Sequence, residues 1–186
     1  ASQLITIGKT TPVLTITSAN TLNVNSSLTA TVSTTATSGR GGAITYAIVG
    51  GSGSATVNAS TGLVTGISIG TVTLTVTSAG DTNYNIATAS QLITIGKTTP
   101  VLTITSANIL NVDGTLTATV TTTATLGRGG AFTYAIVGGS GSATVNVSTG
   151  LITGISIGTV TLTVTSAGDT NYNVATASQL ITIGKT

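Results

Sequence analysis

Apolar and polar residues alternate one for one along much of this chain. The clearest run lies between Ile67 and Asn85. There Thr71, Thr73, Thr75 and Thr77 interleave with Val72, Leu74 and Val76, between Gly70 and a Gly80-Asp81 loop. A two-residue period puts the Thr column on one face of a strand and the Val/Leu column on the other. We read it as the central core strand of a small β-sandwich. The same stretch returns unchanged from Ile155 to Asn173. Alternation predicts further strands over 13–17, 27–34, 43–49, 54–58, 63–65 and 86–95, with Leu28, Ala30 and Val32 on one face. Residues 3–7 alternate in the same way. Pro12 opens a strand, because proline is confined to strand starts and edges. Gly-rich segments at 38–42 and 50–53, a turn at 58–62 and a stop at Gly66 separate the strands. No segment carries the helical period. About seven strands with turn signals every 8–12 residues describe an all-β fold, an Ig-like Greek-key sandwich.

The pattern repeats with a fixed period. Residues 1–88 and 89–176 differ at ten positions, leaving 78 of 88 identical. The decapeptide Ala1 to Thr10 occurs again at Ala89 to Thr98 and at Ala177 to Thr186. Copies this similar argue against a division of labour and for an array made by duplication. The Gly96-Lys97-Thr98 break before Pro100 is the natural cut. It leaves residues 11–98 and 99–186 as two tandem repeats, and 1–10 as the last strand of a preceding one. A linker of about three residues predicts a fairly stiff pair.

Composition narrows the function classes. Only 4% of the 186 residues are charged, against about 25% in an ordinary globular protein. Yet Thr breaks every apolar run well short of the ~18 residues of a membrane-spanning helix. Abundant β-branched residues and scarce charge are the reverse of a disordered chain. The net charge of +2 reflects few acids rather than a basic patch, so nothing points to nucleic acid. No signal peptide precedes the pattern, and the chain reads as a window on something longer.

Chemistry finds few side chains to work with. There is no His or Cys and no Glu to activate a Ser or Thr nucleophile. Asp81, Asp113 and Asp169 are the only acids, too few and too scattered for calcium, which needs six to eight oxygens. Zinc, haem and iron–sulfur sites lack ligands. No cofactor is expected, and no catalysis. Gly96-Lys97-Thr98 mimics the end of a phosphate loop, but position 91 is Gln and Pro100 replaces the helix start such a loop requires. Tyr84 and Tyr172 read either as a sugar-stacking platform or as caps on the open end of the core with wet hydroxyls. Asn25-Ser26-Ser27, Asn58-Ala59-Ser60 and Asn146-Val147-Ser148 match the N-glycosylation pattern without further support. In an Ig-like sandwich the loop after the second predicted strand and the loop before the last share one end. That placement predicts an inter-repeat contact of Lys97, Arg128 and Asp169, repeated as Lys9, Arg40 and Asp81. Exposed, such a cluster contributes ~0–1 kcal/mol, so its expected role is orientation.

The run Leu22-Asn23-Val24-Asn25-Ser26-Ser27-Leu28-Thr29-Ala30-Thr31-Val32, then Ile44-Thr45-Tyr46, then Ala55 through Val76, resembles the bacterial immunoglobulin-like (Big) repeat. Such repeats occur in invasin- and intimin-related stalk proteins and in large surface adhesins. Ala79-Gly80-Asp81-Thr82-Asn83-Tyr84-Asn85 is similar to the segment that follows the central strand in many of them. Where the family often has Trp in the third strand, this chain has Tyr46 and Tyr134. The resemblance implies extracellular or cell-surface display and a non-catalytic spacer role. The partners it implies are neighbouring repeats, or other copies in a fibre. The expectation is therefore a structural stalk or fibre module, with strand complementation as a means of linkage. The alternative is a carbohydrate- or ice-binding module using Thr-rich faces or loops.

Overall fold

A computed structural model describes residues 1–37, 41–125 and 129–185. The described residues contain strands and turns and no helix. Contacts divide the chain into two compact units, Ala1–Lys97 and Thr98–Thr186.

The first unit carries β1 (Leu14–Ile16), β2 (Thr21–Asn23), β3 (Ser27–Thr29), β4 (Val32–Thr34), β5 (Ile44–Val49), β6 (Ser54–Val57), β7 (Leu63–Ser68), β8 (Gly70–Ser78) and β9 (Ala87–Gly96). One sheet has the order β2-β9-β8-β5, with β2 parallel to β9 and the other pairs antiparallel. A second has the order β3-β7-β6, and β1 pairs with β4. The organising stretch is β8, flanked on both sides within the larger sheet. Its Val72, Leu74 and Val76 are fully buried beside Ile93 and Ile95 of β9, Leu22 of β2 and Val64 of β7. The hydrophobic column thus faces the other layer, while the Thr column stays half exposed.

The second unit repeats the plan with β10 (Leu102–Ile104), β11 (Ile109–Asn111), β12 (Thr115–Thr117), β13 (Val120–Thr122), β14 (Phe132–Val137), β15 (Ser142–Val145), β16 (Leu151–Ser156), β17 (Gly158–Ser166) and β18 (Ala175–Gly184). Its core joins Ile152 of the smaller sheet to Tyr134, Val160, Leu162, Val164, Ile181 and Ile183 of the larger one. Each unit is an Ig-like sandwich, and the two stand in tandem.

Three details differ from the reading of the alternation. The strand expected over 27–34 is two strands in different sheets. Between them the Ala30 N–H donates to the Gly62 carbonyl, and Thr31 accepts from the Thr17 N–H. The backbone changes partner there while the side chains keep alternating. Gly66 does not stop its strand. It lies inside β7 where the chain passes under Asn23, and a Cβ there would meet the Asn23 carbonyl oxygen at 2.8 Å. Glycine inside a strand marks such a close approach. Residues 3–7 form no strand. No neighbour offers them a ladder, and Leu4, Ile5 and Ile7 are 93%, 77% and 92% exposed.

Candidate inter-module contact surface

The loop between β8 and β9 is built around Asp81. Its Oδ1 accepts the backbone N–H groups of Asn83 (2.7 Å) and Tyr84 (2.9 Å), closing an Asx-type turn. Its Oδ2 accepts the N–H of Gly41 at 2.8 Å, reaching the loop that follows β4. The Ser78 hydroxyl donates to the Gly41 carbonyl, which also receives the Gly80 N–H. The two loops are in near contact: a Cβ on Gly42, whose φ is +79°, would lie 2.1 Å from the Gly80 carbonyl oxygen. One carboxylate therefore satisfies three backbone donors at the end of the sandwich. Bonds of this kind to a charged acceptor are each worth about 1.5–3 kcal/mol.

The turn presents Asn83 and Asn85 to the incoming chain. Thr10 donates its N–H to the Asn83 carbonyl (3.0 Å) and accepts the Asn85 N–H (2.9 Å), while the Asn85 amide donates to the Thr11 hydroxyl at 3.0 Å. Beside this junction is an open hollow of about 510 Å³ lined by Lys9, Ala79, Gly80, Asp81, Tyr84, Asn85 and Ile86. Lys9 and Asp81 thus border the same space. Arg40 and Arg128 lie outside the described residues. Lys97 is exposed and closes the first unit, whereas Asp169 is in the second. Asp169 repeats the turn, with Oδ1 accepting from Asn171 and Tyr172 and Oδ2 from Gly129 at 2.9 Å.

The clamp role of the acid escaped the sequence reading, which weighed Asp81 only as a charge. The signal was present in Gly-Asp-Thr-Asn-Tyr, since Asp opens turns by bonding backbone two and three residues ahead. The wet hydroxyl expected of the tyrosine cap is corrected at Tyr172, which is buried. The Tyr84 hydroxyl accepts the Thr37 N–H at 3.2 Å and meets the Thr37 Oγ1 at 3.1 Å. Tyr172 does the same with Thr125. Among the described residues no group of three or more His, Cys, Asp or Glu is placed to hold a metal ion, and no helix is long and apolar enough to cross a membrane.

No curated protein sequence matches the chain. Among solved structures, the fibronectin(III)-like modules of Clostridium thermocellum CbhA are similar at 12% identity and a TM-score of 0.32, over 93% of this chain and 95% of that one. Three N-terminal domains of the bacteriophage RB49 highly immunogenic outer capsid protein (Hoc) are similar at 17% identity and a TM-score of 0.33, over 93% of this chain and 59% of that one. The model of the bacterial Ig-like domain (group 2) matches residues 10–95 and again 97–177. With a match over each sandwich and most of its length covered, the chain belongs to the bacterial Ig-like domain family, group 2.

Proposed function

We propose that this chain is a structural stalk or fibre module of a long repetitive bacterial surface protein or extracellular filament, and that it is not an enzyme. The observation that carries the reading is the repeat itself. Two copies with 78 of 88 residues in common have the same nine strands and the same sheet orders. Near-identical sandwiches in series suit length and mechanical continuity, not distinct tasks. In this reading residues 11–98 and 99–186 are the repeats, and residues 1–10 complete a preceding one by strand complementation. Lys9, Arg40 and Asp81, with Lys97, Arg128 and Asp169 as their counterparts, orient adjoining modules. Lys9 and Asp81 on one hollow support that role.

Single-molecule stretching tests the reading. The chain should give two unfolding events of similar force, each lengthening it by at most about 30 nm, the reach of 88 extended residues. Extension without resolved force peaks overturns it.

A ligand-binding reading draws on the outer face of the larger sheet. Thr45, Ala47, Val49, Thr88, Ser90, Leu92 and Thr94 are exposed there around the Thr column of β8, and all are uncharged. Two observations weigh against it. Tyr46, the aromatic of β5, points away from this face, with its ring against Gly62. Strand twist of about 20° per neighbour also denies the face a flat lattice. Glycan binding or ice-recrystallisation inhibition that disappears in Thr73→Ala with Thr75→Ala would favour it.

A further inference from the structure

The two copies differ at ten positions, and four of them, 21, 25, 26 and 27, fall between the start of β2 and the start of β3. In the second module the matching turn joins β11 to β12. The Gly114 N–H donates to the Asn111 carbonyl at 3.0 Å and closes residues 111–114. Asp113 is the third residue of this turn and has φ +61°, in the left-handed region where L-residues are disfavoured. Turns with a positive φ at that position take Gly or Asn there, and the first copy has Asn25 at φ +63°. A neighbouring strand grips the same dipeptide. The Asp113 N–H donates to the Gly154 carbonyl at 3.0 Å, and the Gly114 carbonyl accepts the Gly154 N–H at 3.1 Å.

Asp113 is also the one aspartate followed by glycine. Asp81 and Asp169 precede the β-branched Thr82 and Thr170, and both oxygens of each carboxylate accept backbone N–H groups. Asp113 is exposed, and Gly114 sets no side chain beside its own backbone nitrogen. The turn does not demand that glycine. Gly114 lies outside the left-handed region, and Ser26 closes the same turn in the first copy, with its N–H on the Asn23 carbonyl at 3.0 Å.

We infer that Asp113-Gly114 is a site of spontaneous backbone rearrangement, and that the fold selects the D-aspartyl product. When the turn opens and the Gly114 N–H leaves Asn111, the freed nitrogen attacks the Asp113 Cγ. A C–N bond forms and a C–O bond of the carboxyl group breaks. The oxygen departs as water, with the nitrogen's proton and the carboxyl proton, and leaves a five-membered cyclic imide. The Cα of the imide loses its proton readily, because the adjacent carbonyl delocalises the charge, and regains it on either face. Water then adds to one of the two carbonyls. Addition at Cγ restores aspartate, and addition at the main-chain carbonyl leaves isoaspartate, with one more carbon in the main chain. One water leaves and one returns, so the mass is unchanged and no other reactant is needed. The fold sorts the four products. Both ends of the dipeptide are bonded to Gly154, so the additional carbon of isoaspartate breaks one of those bonds. At φ +61° an L-residue is strained and its mirror image is relaxed, as with the D-residues of designed turns. Repeated closing and opening therefore drifts toward D-aspartate with the chain length intact.

Trypsin separates the three acids. Cleavage after Arg40, Lys97 and Arg128 leaves Asp81 in residues 41–97, Asp113 in 98–128 and Asp169 in 129–185. The chain is aged for several weeks at neutral pH and body temperature, folded or in guanidinium chloride, and then digested. Chromatography with mass detection compares peptide 98–128 with synthetic standards of its L, D, L-iso and D-iso forms. From the folded chain this peptide should split into peaks of equal mass, with the D-aspartyl form the largest new one. In guanidinium chloride the L-isoaspartyl form should lead instead. Peptides 41–97 and 129–185 of the folded chain should show no new peak of equal mass. Gly114→Ser, which restores the residue of the first copy, should slow the splitting several-fold. Asp113→Gly suits the positive φ and removes the carboxyl group, so it should abolish the splitting. A single peak for peptide 98–128 from the folded chain overturns the inference. So does equal splitting at Asp81 or Asp169, or an L-isoaspartyl form that leads in the folded chain as it does in guanidinium chloride.

Discussion

Ala1 to Gly8 and Ala89 to Gly96 have one sequence between them and opposite surroundings. The second copy has β8 on one side and β2 on the other, and its Ile93 and Ile95 are sealed in the core. The first has no ladder, and the matching Ile5 and Ile7 face solvent. Alternation and β-branched content are equal in the two, so neither makes a strand by itself. β propensity describes how well a segment fits a pleated, half-buried surface, and it has no effect until that surface exists. The boundary between the two fates falls at Thr10, the first residue with a backbone partner on the Asn83–Asn85 turn.

Amide hydrogen exchange should show the widest gap. Amides of residues 2–8 should exchange at the rate of an unstructured chain. Those of Ile93 and Ile95 should open only with the whole module, slower by a factor of thousands for a stability of about 5 kcal/mol. Comparable protection in both copies would mean that residues 1–8 already have a partner in solution. The same pair of sites can then be read by mutation. Ile93→Ala removes a fully buried side chain and should cost about 2–5 kcal/mol. Ile5→Ala, in the same sequence context, should stay within about 0.5 kcal/mol. Urea denaturation of the two variants decides. Equal losses would erase the distinction between bare and buried copies.

That contrast also marks what could be read from residues alone. β8 was legible because its alternation is long and its buried face is uninterrupted. The core triad Val72, Leu74 and Val76 could be named from period alone. Pairing partners could not. A two-residue period says which side chains share a face and is silent on which strand lies alongside. Hence residues 27–34 read as one strand although their backbone moves from β7 to β1, and β2 was missed because three residues carry too little pattern. Of the candidate contact residues, Lys9 and Asp81 border one hollow, but the bonds that fix Asp81 are local turn geometry, which charge counting does not reveal.

Asp81 governs where the bare segment gives way to the fold, since its turn supplies the carbonyl and amide that hold Thr10. Asp81→Asn keeps the size but loses the charge and one of two equivalent acceptor oxygens. It should destabilise the first module by about 1–3 kcal/mol and release the Thr10 amide to faster exchange. Asp113→Asn is the control. Asp113 has φ +61°, and its counterpart in the first repeat is Asn25 at φ +63°. That substitution should change stability by less than about 0.5 kcal/mol. Thermal melts that move equally for both variants would remove the special role given to the Asp81 turn.

The smallest effect lies on the outer face. Thr75 Oγ1 and Ser90 Oγ meet across β8 and β9 at 3.3 Å, and Thr163 and Ser178 repeat the pair at 3.2 Å. Cross-strand hydroxyl pairs of this kind contribute about 0.2–1 kcal/mol. A double-mutant cycle of Thr75→Ala and Ser90→Ala should return a coupling in that range. Ser2 is the residue that matches Ser90 in the bare copy, and no strand lies opposite it in the isolated chain. The cycle of Thr75→Ala with Ser2→Ala should therefore return no coupling.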